Sequence, residues 1–237
     1  MKYISLGVNC VPAYRIKEYA SSTATCFFDW LRTDFACVLK ILNTKCINEI
    51  LTIENMNIKT HDDDNEFKQY NEVKITFKSL EKEGLLLMSQ HDVFLNHDDN
   101  GEAKEQYHNE LIGFIEKYKR RHKRLIELIQ SGEEMCFIHM NLNDSSSEIQ
   151  IDEFVLSIKK IDENALYCFV LLVREPTSLD LYIKYDNYLK INLSHCSAEK
   201  NKNNKNEDWN FPISKIDWEL IFKTIQIHHN FVKVDIV

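Results

Sequence analysis

The chain has 237 residues, 44% hydrophobic and 28% charged, which is enough length and apolar content for a sizeable core. Its formal charge of −8 argues against general nucleic-acid binding, which needs a net or local basic surface. No run of about 18 apolar residues is present to span a bilayer, and the N-terminus lacks a charged-then-apolar secretory pattern, so a cytoplasmic, intracellular protein is expected.

With five Gly and three Pro there is little material for linkers, and a single domain over 1–237 is the default. Seven cysteines (Cys10, Cys26, Cys37, Cys46, Cys136, Cys168 and Cys196), with no CxxC pair, fit reduced thiols better than a disulfide framework or a zinc knuckle. No cofactor and no metal are expected.

The opening stretch Tyr3-Ile4-Ser5-Leu6-Gly7-Val8-Asn9-Cys10-Val11-Pro12 reads as a buried strand, a turn and a helix start. Gly7 suits the tight backbone of such a junction, and Pro12 suits a first helical turn. Cys10 therefore stands where unpaired N–H groups and the positive end of a helix dipole favour a thiolate. Apolar steps through Ala13, Ile16, Tyr19 and Ala20 carry this helix to about residue 20. An aromatic cluster, Cys26-Phe27-Phe28-Asp29-Trp30, follows, and a second helix opens at Thr33 or Asp34.

Val73, Ile75 and Phe77 alternate with polar residues, and Leu85 to Met88 follows across a turn over 81–84, which predicts a β-hairpin insertion near 73–90. It leads into Ser89-Gln90-His91-Asp92, with His97-Asp98-Asp99 beyond. A long helix from about 105 to 130 carries Leu111, Phe114, Tyr118, His122, Leu125 and Ile129 on one stripe. A strand over 135–140, a helix over 151–161 and a strand over 166–173 make a parallel crossover unit. One or two further strands over 181–193, a polar loop over 197–208, and a last helix begun by Ser214 and Asp217 complete the reading. The expected fold is α/β, a mostly parallel sheet flanked by helices in a Rossmann-like three-layer arrangement.

The start Ser5-Leu6-Gly7 with Asn9-Cys10, followed by Phe28-Asp29-Trp30, resembles the bacterial and viral domains classed as papain-like cysteine peptidases. His91-Asp92, Arg120-Arg121 ahead of Phe137-Ile138, and Trp218 are similar to further features of that family. The chain departs from its pattern at Phe27, where the family has Pro, and at His139, where it has Arg. The resemblance implies a peptidase-like hydrolase whose relatives are often joined to glycosyltransferase modules. The strand–helix order nevertheless favours a parallel sheet over papain's division into a helical and a β-rich half.

The chemistry that fits is a Cys–His hydrolase or acyl transferase acting on a peptide or small molecule. Cys10 would be the nucleophile and His91 the general base; Asp92 or Asp29 would orient the imidazole, and Asn9 would contribute to an oxyanion site. Asp29, beside Trp30, is also read as an anchor for the Cys10 loop. His139, closing a strand, and Arg121, within a basic run, are supporting candidates. His122 reads as a core histidine. The alternative is a non-catalytic module that binds a glycan or nucleotide-sugar. Oligomeric state has no signature in the sequence.

Overall fold

A computed structural model describes residues 1–7, 10–20, 25–59, 73–89, 92–93, 102–141, 148–173, 188–192 and 216–234. The elements in order are β1 (Lys2–Ser5), α1 (Cys10–Ala20), β2 (Leu31–Thr33), α2 (Phe35–Asn43), a 3-10 turn (Ile47–Glu49), β3 (Met56–Lys59) and β4 (Lys74–Phe77). Then come α3 (Lys78–Lys82), β5 (Leu87–Ser89), α4 (Glu102–Ile129), β6 (Met135–Asn141), α5 (Glu148–Ile161), β7 (Tyr167–Val173), β8 (Tyr188–Asn192) and α6 (Trp218–Val234).

β6 and β7 are continuous apolar runs because both of their faces are covered, as parallel strands require. They form the centre of a four-stranded parallel sheet of order β1-β6-β7-β8. Side chains alternate across it. Met135, Phe137, Phe169, Leu171 and Tyr188 pack with residues of α2, α4 and α5, among them Val38, Leu125 and Phe154. Cys136, Ile138, Val170, Leu172 and Leu189 pack with Ile16 of α1 and with Trp218, Ile221 and Phe222 of α6. Helices thus lie on both faces. Among the described residues the strands stand in chain order, without the reversal of order that gives a Rossmann sheet its switch point.

In a second sheet, antiparallel and of order β2-β5-β4-β3, the sequence reading had only the β4 and β5 pair and missed β2 and β3. β4 and β5 are antiparallel neighbours there. α3 separates them, its Leu80 buried, and its first amides are satisfied from far upstream: Ser79 N donates to Asn55 Oδ1 and Lys78 N to the Asn55 carbonyl. Such a long-range cap leaves no local signal. β2 and β3 are only three and four residues long, too short to show a period.

The helix starts are as expected where the cap is local. Asp34 Oδ1 accepts from Cys37 N at 2.6 Å and starts α2. At α6 the cap is Asp217 itself, whose Oδ1 accepts from Leu220 N at 2.9 Å, while Ser214, expected to open a capping box with it, lies outside the described residues. No described helix is long and apolar enough to cross a membrane.

Candidate active site

The C-terminal end of β1 turns at Gly7, whose φ of +85° is a left-handed conformation that side chains with Cβ rarely adopt. A Cβ there would also lie 2.0 Å from Thr33 Cγ2 and 3.3 Å from the Leu31 carbonyl oxygen. The loop is therefore pressed against β2, directly after the Phe28-Asp29-Trp30 turn, so two stretches distant in sequence meet. Gly7 N donates to Ser5 Oγ at 3.3 Å. Cys10 is the first residue of the 11-residue α1 and is half-buried. Asn9 and His91 lie outside the described residues.

The turn over 25–30 is closed by its own carboxylate. Asp29 Oδ2 accepts from Cys26 N at 2.8 Å, so Asp29 anchors this turn. Asp29 is 8% exposed, and burial pushes its carboxyl up to about 6 despite the Cys26 N–H and the charges of Arg121 and Lys17. Trp30 has φ +68°, the one non-glycine residue with positive φ among those described. Such strain is found at sites where function demands a fixed geometry. A small cleft of about 20 Å³ opens here, lined by Tyr3, Ala13, Lys17, Cys26, Asp29 and Trp30 among others. Cys10 lies one turn before Ala13 on the same face of α1, because residues three and seven apart on a helix share a face.

α4 forms the wall beside this turn. Asp92 Oδ2 accepts from Ser89 Oγ at 2.6 Å and from the Tyr118 hydroxyl at 2.5 Å, while its Oδ1 pairs with Lys117 Nζ. Burial works against the Asp92 charge, but these donors outweigh it and hold the carboxyl below the ordinary range. Both Asp92 oxygens are thus engaged in tying the segment after β5 to α4. One turn along α4, the Arg121 guanidinium lies 4.9 Å from the centre of the Tyr118 ring. Arg124 Nη1 donates to the Thr25 carbonyl at 2.8 Å. Phe27, fully buried, packs edge-on against Phe28, Tyr118 and His122. A large ring therefore fills the position before Phe28-Asp29-Trp30. His122 is a core histidine bonded to the Ile41 backbone, but its Nε2 has no partner.

His139 is 2% exposed within β6 and packs against Phe35 with ring centroids 4.7 Å apart. Burial pushes it down to about 3, and its hydrogen bond to the Leu6 backbone only partly opposes this, so the ring is neutral at physiological pH. With Nδ1 unpartnered, the bond falls to Nε2–H, which donates to the carbonyl just ahead of Gly7. His139 therefore braces the turn that leads to Cys10. The other thiols differ in kind. Cys26, Cys37, Cys136 and Cys168 are buried, with burial pushing Cys26 and Cys37 up to about 12 and raising Cys136 well above the ordinary thiol range. Only Cys10 and Cys46 among the described cysteines are partly exposed.

The fold thus gathers Asp29, Trp30 and Arg121 around one corner, with Asp92 joined to it through Tyr118 and Cys10 along α1. Sequence reading missed Ser89, Lys117 and Tyr118 as the holders of Asp92. The apolar stripe of α4 gave Tyr118 a core role, and nothing local shows where its hydroxyl points. No curated protein and no solved structure matches the chain. The opening β1–α1 junction, the turn over 25–30 and β6 all fall inside the span matched by one family model, and on that match over residues 1–173 the chain belongs to the family described as "Putative papain-like cysteine peptidase (DUF1796)".

Proposed function

We propose that the protein is a cysteine-dependent hydrolase with Cys10 as its nucleophile. The observation that carries this reading is the placement of Cys10: the first residue of α1, at the C-terminal edge of a parallel sheet, partly exposed while most of the other thiols are buried. Open α/β sheets place their ligands at that edge. The unpaired N–H groups of a helix's first turn favour negative charge beside them.

In this reading His91 takes the thiol proton and the sulfur attacks an acyl carbon. A C–S bond forms, the C–N or C–O bond breaks, and the leaving group receives the proton from the imidazole. Water then hydrolyses the thioester and regenerates the thiol; an amine or alcohol in its place would make the same intermediate an acyl donor. Helix N–H groups and the Asn9 amide would bind the oxyanion. Asp92, held by Ser89, Tyr118 and Lys117, serves by fixing the segment next to His91.

Cys46 supplies an internal control, since it is also partly exposed but precedes only a three-residue 3-10 turn. At neutral pH, iodoacetamide is expected to label Cys10 faster than Cys46 by about tenfold, the factor that one pKa unit of activation by a neighbouring imidazole corresponds to. His91→Ala is expected to remove most of that preference, as read by peptide mass spectrometry. Equal labelling, together with thermal stabilisation by a nucleotide-sugar, would favour the glycan-associated binding module instead.

A further inference from the structure

β6 and β7 pair in parallel register with Cys136 directly opposite Cys168, each the second residue of its strand. Residues paired in this way point to the same face of a sheet. Both belong to the apolar cluster that contains Ile16 and, from α6, Ile221, Phe222 and Ile225. Cys136 is fully buried and Cys168 is 6% exposed, and the two thiols are within hydrogen-bonding reach of each other. They stand at the N-terminal edge of the sheet, the opposite end of the strands from the turn at Gly7, and so have no part in the site around Cys10. Among the described cysteines no other two are register partners.

Thiols set side by side can share a metal ion or close to a disulfide. A zinc site needs four ligands, and among the described residues no group of three or more His, Cys, Asp or Glu side chains gathers to hold a metal. A disulfide needs no further ligand and leaves no charge in the apolar cluster. Neighbouring strands lie about 4.8 Å apart, inside the range of about 4.4–6.8 Å usual for the Cα atoms of bridged cysteines. The backbone spacing is already that of a disulfide.

We propose that Cys136 and Cys168 are a reversible redox-modification site, closed by a peroxide to an intramolecular disulfide that staples the two central strands of the parallel sheet. Transient opening of the strand edge beside Leu166, which is exposed, admits the oxidant. The sulfur of Cys168, the less covered thiol, attacks one peroxide oxygen; an S–O bond forms, the O–O bond breaks, and the thiol proton leaves with the second oxygen as water. The Cys136 sulfur then attacks the sulfenic sulfur; the S–S bond forms, the S–O bond breaks, and the hydroxide departs as water with the Cys136 proton. Two thiols lose two electrons and the peroxide becomes two waters. This chemistry is independent of whether Cys10 is a nucleophile.

The test treats the folded full chain with hydrogen peroxide, blocks the remaining thiols with N-ethylmaleimide in urea, and digests with trypsin without reduction. Lys159 and Lys160 put the two cysteines on different tryptic peptides, 125–159 and 161–174, each with a single cysteine. A species joining these two, lighter than their sum by two hydrogens and lost on adding dithiothreitol, is expected ahead of any other linkage. The closed loop contains α5, so the urea midpoint of the oxidised chain should rise by about 1 M and fall back on reduction. Cys168→Ala should abolish both the linkage and the rise. Full alkylation of both thiols after peroxide, a link between two copies, or linkages dominated by Cys10 or Cys46 overturns the staple. So does a link that forms only when urea is present during oxidation, sulfinic acid without any link, or a linked chain whose midpoint is unchanged.

Discussion

Asp29 and Asp92 are both largely hidden from water, yet their surroundings move them in opposite directions. Asp29 has one backbone donor and distant cations, so burial wins and its carboxyl rises to about 6. Asp92 has a lysine, a hydroxyl and a phenol within bonding distance, so its charge wins. The consequences for stability have opposite signs. A carboxyl raised on folding contributes stability that is fully present below about 3.8 and is lost as pH rises through about 6. Asp92 contributes stability present above its unfolded value, near 3.8, and lost as pH falls through its depressed folded value. Urea unfolding of the wild type should therefore lose about 2 kcal/mol between pH 4 and pH 6 through Asp29, the larger part of a total of about 3 kcal/mol set by its full displacement. Asp29→Asn should be flat over that interval and at least as stable as the wild type at pH 7. A wild-type profile without that loss would mean that Asp29 is ionised in the fold. Nothing of this could be read from Phe28-Asp29-Trp30 as letters. The chemistry depends on Arg121 and Lys17 arriving from other helices.

At the scale of elements, the β1–α1 junction was the most legible part of the chain. A buried tetrad ending in Gly, then a cysteine and a proline, dictates strand, turn and helix by local sterics alone. What lies against the turn was not legible, because β2 is three residues long and has no periodicity of its own. The contact makes a sharp prediction. Gly7→Ala must accept both a left-handed backbone, about 1–2 kcal/mol, and an overlap with Thr33, about 1–3 kcal/mol, and should lower the urea midpoint accordingly. Adding Thr33→Ser removes the overlapping methyl and should recover part of the loss while leaving the backbone strain. If the double variant were no more stable than Gly7→Ala, the contact with β2 would not be the cause. α3 teaches the same lesson from the other side. Its capping groups come from Asn55, so the segment between two apolar runs looks like an ordinary turn.

Over the whole molecule, one apolar cluster joins the two sheets: Ile4, Phe137 and Phe169 of the parallel sheet share it with Ile75, Phe77 and Leu87 of the antiparallel one. A core continuous across both should melt as a unit. In variants that retain only Trp30, beside β2, or only Trp218, on α6, the two fluorescence transitions in urea should coincide in midpoint and slope. Two separated transitions would make the sheets independent units and replace the single domain proposed for 1–237 by two.

The sequence by itself determined the parallel α/β unit, the helix starts at Asp34 and Asp217, and the position of Cys10 at a strand-to-helix junction. All of these follow from hydrogen bonds and side-chain periods within a few residues of one another. Only the tertiary structure decided that Asp92 is held by Tyr118, that His139 is a neutral brace under Leu6, and that burial raises Asp29 against the charges of Arg121 and Lys17. Each of those depends on groups brought together from tens of residues apart, and both burial and charge act through space rather than along the chain.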